Sequence, residues 1–135
     1  MTHFAFSELN IVAILVAAIL NMLIGAVWYS RPLFGKQWMA YLGFRDDEPG
    51  VSPWTYVIVF VLGLIIAVFM AMFLQGSAGA MEGLLYGAVI GFGIVIPTIL
   101  THYLMEHRKA GFMLIIAGHE LLLFLVYGAL LGGWH

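Results

Sequence analysis

The chain of 135 residues contains no cysteine. That excludes disulfides, thiolate metal sites and a lipid-modified N-terminal cysteine. Charge is nearly as scarce. Charged residues make up 9% of the chain, against roughly 25% in soluble domains. Only 5 residues are Lys or Arg, and they are scattered, so there is no basic patch for nucleic acid. The net charge of −2 is too small to point to an electrostatic partner. No positive charge precedes Arg31. Residues 1–10 lack Lys and Arg, and no small-residue cleavage pattern follows the first apolar run. A removable signal peptide is therefore not expected, and the first run is expected to stay as a span.

What the chain does have is apolar blocks. Hydrophobic residues reach 64%, in runs long enough to cross lipid, which takes ~20 residues. The expected fold class is all-α: an integral membrane four-helix transmembrane bundle in a single domain, residues 1–135. The four spans fall at about 9–29, 54–74, 81–103 and 112–131, with an interfacial segment at about 32–44. Ser7 or Asn10 caps the first span, with Glu8 in its first turn. Pro32 stops that span. Phe34, Trp38, Tyr41 and Leu42 then share one side of a short helix. Trp and Tyr suit the lipid–water boundary because their rings are part apolar and part polar. The acidic stretch Asp46-Asp47-Glu48 reads as a solvated turn. Pro53 starts the second span, which has no polar residue between Tyr56 and Gln75 and is expected to face lipid.

Small residues mark the close contacts. Ala13, Ala17, Asn21 and Gly25 recur at steps of four in the first span, and Gly83, Gly87 and Gly91 in the third. Such ridges let backbones approach closely where lipid removes the hydrophobic drive. The third-span ridge is expected to cross the first, or its own copy in a second chain. The same face is expected to continue to Thr98 and His102, with a kink between Gly93 and Pro97.

Orientation follows from Lys and Arg. Arg31, Lys36 and Arg45 follow the first span, and Arg108 and Lys109 follow the third. The opposite side has none, so both basic loops are expected in the cytoplasm and both termini outside. The implied location is a bacterial cytoplasmic membrane.

Trp28-Tyr29-Ser30, then Pro32, then Leu33-Phe34-Gly35-Lys36 and Trp38, resembles the hallmark of a family of small bacterial membrane proteins, the domain-of-unknown-function 1761 family. In that family proline follows the serine directly; here Arg31 stands between. The resemblance implies four spans and transfers no catalytic residue.

Few residues carry chemistry. His102, Glu106 and His107 lie near the end of the third span, too loosely placed for a metal site. No nucleophile–base pair and no phosphate loop stands out, so no catalytic residue and no cofactor is expected, and an enzyme is the lesser reading. His119 and Glu120 differ, since ionisable groups inside a span are costly and face protein or water. Asn21 lies eight residues before Tyr29, and His119 eight after Gly111. At 1.5 Å per residue both sit roughly 12 Å from the cytoplasmic boundary. Asn21, Thr98 and His119 are therefore expected to meet in a polar layer, with Glu120 nearby and His102 nearer the cytoplasm. Three functions suit this pattern: a subunit of an oligomeric transporter or channel, a lipid-interacting or assembly protein, and an enzyme acting on lipid. The expected partners are membrane lipid and further copies of the chain.

Overall fold

The computed structural model describes residues 6–44 and 52–134. Arg45, the acidic triplet Asp46-Asp47-Glu48 and the rest of residues 45–51 lie outside them. A short 3-10 turn, Phe6–Glu8, leads into α1, Ile11–Trp28. Then follow α2, Gly35–Leu42; α3, Pro53–Phe73; α4, Ala80–Ile90; a π-helical turn, Gly91–Val95; α5, Ile96–Met105; and α6, Ala110–Gly133. α1, α3, the unit Ala80–Met105 and α6 are each long and apolar enough to cross a membrane. The protein is all-helical across the described residues, and it is a four-helix membrane bundle.

The ends of the helices are set locally. The Asn10 side chain accepts a hydrogen bond from the Ala13 N–H at 3.1 Å and caps α1. Ser52 does the same for Trp54 at the start of α3, where Pro53 needs no N–H partner. Gly43 ends α2 at φ 82°, a left-handed geometry that suits glycine. Between α3 and α4, Gly76 and Gly79 also take positive φ, and the Glu82 carboxylate accepts from the Ala78 N–H.

α6 is the hub. It touches α1, α2, α3, α4, α5 and the π turn. Its tightest partner is α4. A Cβ on Gly83 would run into the Gly128 carbonyl and lie 2.8 Å from the Gly132 Cα, and one on Gly87 would strike the Phe124 carbonyl. The expected crossing of the glycine ridge with α1 is therefore corrected: the ridge meets a second ridge, Gly128 and Gly132, on α6. Two glycine faces allow backbone-to-backbone contact that a first-span ridge with Ile and Val beside its alanines would not match.

α1 instead packs on α3 and α6. Ala13, Ala17, Ala67, Met70, Ala71, Leu74, Phe124, Tyr127 and Leu131 form one buried cluster. The expectation that the second span faces lipid holds for only part of its circumference. Gly63, Ala67 and Ala71 give α3 its own ridge of small residues at steps of four, and it is buried.

Candidate functional site

The connection after α1 folds back on itself. The Phe34 N–H donates to the Trp28 carbonyl at 3.1 Å, and the Gly35 N–H to the Ser30 carbonyl at 2.9 Å. Gly35 is required here, since a Cβ would lie 2.8 Å from the Ser30 carbonyl carbon. This tight return sets Trp28 against Phe34, and Tyr29 against Trp38, each with ring centroids 4.7 Å apart. The Trp28 indole N–H then reaches α6 and donates to the Ile115 carbonyl at 3.0 Å. Gly118 leaves room for that ring: its Cβ would lie 2.9 Å from Trp28. Ser30 donates to Val27, while Pro32 and Lys36 face outward.

Beneath these rings lies His119, only 8% exposed. Its ring centroid is 5.2 Å from that of Tyr29 and 6.3 Å from that of Trp28. Gly25 of α1 makes space on the other side, with the imidazole Nε2 at 3.7 Å from where a Cβ would stand. Neither ring nitrogen has a hydrogen-bond partner among the described residues. The Glu120 carboxylate lies 3.4 Å from Nδ1. The pair is in close contact, but its geometry is not that of a hydrogen bond.

Asn21, also buried, stands one turn from Gly25 on the same ridge of α1. Its amide lies against Gly63, where an added Cβ would come within 2.6 Å. The Tyr127 hydroxyl donates to the Gly63 carbonyl at 3.0 Å. Asn21 and His119 thus both face the bundle interior on neighbouring turns.

Thr98 and His102 do not join them. Both are exposed, and the Thr98 hydroxyl donates to the Ile94 carbonyl of its own span at 2.6 Å. The cause is the π turn at Gly91–Val95. It inserts one residue into the helix, which turns everything after it by about 100°. Gly83, Gly87 and Gly91 remain on the packed face, but the face continues through Ile99 and Tyr103. The π turn overlaps the stretch, Gly93 to Pro97, where a kink is expected.

Tyr127, Gly63 and Gly118 belong to the site and escaped the sequence reading. A phenol at mid-span was the available signal for Tyr127. Gly128-Ala-Leu-Leu-Gly132 was a second small-residue motif in plain view. No group of three metal-ligating side chains occurs among the described residues.

The family model described as protein of unknown function (DUF1761) matches residues 12–132, nearly the whole chain. No curated protein and no solved structure matches it.

Proposed function

The chain belongs to the DUF1761 family, and from that premise we propose that it is a subunit of an oligomeric proton-coupled transporter or proton channel. One observation carries this reading: His119 lies inside a membrane span next to a carboxylate, and neither ring nitrogen has a hydrogen-bond partner among the described residues. A polar group without a partner in such a place costs several kcal/mol, on the order of 2–7. A group serving structure alone would be expected to hold a hydrogen bond, as Tyr127 does. An imidazole and a carboxylate 3.4 Å apart can share and pass a proton. Trp28, Tyr29, Phe34 and Trp38 cover that pair from the side of the basic loops and act as its gate. Four helices can hardly enclose a path, so the reading calls for a second copy of the chain.

The test is proton flux into liposomes holding the purified protein, driven by a pH gradient. Glu120→Gln is expected to abolish the flux. Equal flux from that variant and the native chain would remove the reading.

The orientation proposed with it has both termini outside, in a bacterial cytoplasmic membrane. The bias of Lys and Arg to one side supports this.

A second reading rests on a different feature. A groove of about 450 Å³ runs between α2 and α6, lined by Phe34, Gln37, Ala40, Tyr41, Gly111 and Leu114, with Ile115 at its floor. Its size is that of a ligand site, and its lining suits one lipid acyl chain at the membrane boundary. Native mass spectrometry of Leu114→Trp tests it. Loss of co-purified lipid relative to the native chain is expected, and unchanged lipid would count against the groove.

A further inference from the structure

The groove between α2 and α6 is graded along its length. Phe34 packs on Trp28, whose indole N–H donates to the Ile115 carbonyl, so this end of the groove lies level with Ile115. Tyr41 marks the other end. Its hydroxyl stands where a Cβ on Gly111 would be, in the first turn of α6. Its ring packs edge-on against Phe112, with centroids 6.2 Å apart. One end of the groove is therefore a turn deep along α6, and the other opens where α6 begins. The chemistry changes with depth. Phe34, Leu114 and Ile115 are apolar, and Leu114 is 73% exposed, so the deep end has an apolar surface left to cover. The Tyr41 hydroxyl has no hydrogen-bond partner among the described residues, which leaves a donor at the mouth.

Positive charge gathers at the same mouth. The Arg108 guanidinium lies 5.2 Å from the centre of the Phe112 ring, the ring that Tyr41 packs on. Arg108 and Tyr41 thus share Phe112 as a neighbour. Lys109 directly precedes α6, two residues before Gly111. The local counter-charge is small. Glu106 lies 3.6 Å from Arg108, and no carboxylate among the described residues is within ion-pair distance of Lys109.

We propose that the groove is a site for a phospholipid with a net negative headgroup. Its phosphate is held by Arg108, Lys109 and the Tyr41 hydroxyl, and one acyl chain lies between Phe34 and Leu114. The proposal rests on the acyl-chain reading of the groove and adds the class of lipid.

Charge and depth together select this occupant. An apolar helix in the groove would cover Phe34 and Leu114 but leave the cations and the phenol at the mouth without an acceptor. A phospholipid carries both parts in the required order, an anionic acceptor at the membrane boundary and a hydrocarbon chain beneath it. Phosphate oxygens take charge-assisted hydrogen bonds from guanidinium and ammonium groups. Basic side chains at the membrane boundary favour anionic over neutral lipids.

The test is native mass spectrometry of the full chain from detergent micelles holding equal amounts of phosphatidylglycerol and phosphatidylcholine with the same acyl chains. The native chain is expected to carry the phosphatidylglycerol adduct at least about fivefold over the other, the effect of one basic side chain near an anionic headgroup. Arg108→Gln combined with Lys109→Gln should bring the two adducts close to equal and leave the groove filled. Both residues are exposed and lie outside the helices, so the bundle tolerates the change. Leu114→Trp should remove both adducts. Equal adducts on the native chain, or a preference that survives the double substitution, overturns the headgroup proposal. If Leu114→Trp still removes those equal adducts, the acyl-chain reading stands without it. Adducts that Leu114→Trp leaves in place retire the acyl-chain reading and this proposal with it. A lipid-free dimer that Leu114→Trp splits would make a second copy of the chain the occupant, and overturns the proposal as well.

Discussion

Trp28 ties three parts of the molecule together through one side chain. Its indole N–H crosses to the Ile115 carbonyl, its ring packs on Phe34, and the His119 ring lies 6.3 Å from it. Trp28→Phe removes the hydrogen bond and keeps most of the ring. We expect a loss of about 1 kcal/mol, the usual net value of one such bond, seen as a lower melting temperature in detergent. Gly118→Val should cost more, because its branched side chain would occupy the space of the Trp28 ring. A Gly118→Val protein that melts with the native one would show that the ring sits elsewhere. At this scale much was legible in the sequence. The Trp-Tyr-Ser segment stood out because Trp, Pro and Gly punctuate an apolar run. His119 and Asn21 stood out because polar groups in lipid must go inward. Tyr127 was missed because its apolar ring conceals a hydroxyl that needs a partner.

Between helices, glycine decides. Gly83, Gly87, Gly128 and Gly132 bring α4 and α6 into backbone contact. Gly87→Leu should therefore destabilise strongly, since overpacking costs about 1–3 kcal/mol even where side chains can move and here the obstacle is the Phe124 carbonyl. Gly93→Ala is the control. Its Cβ meets nothing, and alanine gains roughly 0.5–1 kcal/mol over glycine within a helix. We expect unchanged or slightly raised melting for Gly93→Ala and a large drop for Gly87→Leu. Similar melting of the two variants would remove the α4–α6 crossing. The existence of the ridge was readable from spacing alone, but its partner was not. Glycines repeat in both the third and fourth spans, and only packing decides which pair of faces meets. The π turn was not readable either. Its extra residue is chosen by how α5 lies on α6, and no local preference in Gly91-Phe92-Gly93 announces it.

The whole molecule is a hub with satellites, α6 inside and the other spans around it. Hydropathy located all four spans within about two residues at each end, because span length is set by the bilayer and little else. It could not say that α6 is central, since apolar residues surround every span and no polar face marks the outside. Orientation is the prediction that belongs to this scale. Single cysteines at Lys109 and Ala78 should label from opposite sides, with Lys109→Cys reached only from the cytoplasm. External labelling of Lys109→Cys in intact cells would reverse the topology. The central claim is that the Trp28–Trp38 segment seals an ionisable pair inside the membrane. The most direct test is the reactivity of His119→Cys toward a charged, membrane-impermeant thiol reagent in open membranes. The account predicts very slow labelling in the otherwise native chain, and labelling at least tenfold faster when Trp28→Ala is added. Equal and rapid labelling with and without Trp28 would contradict it.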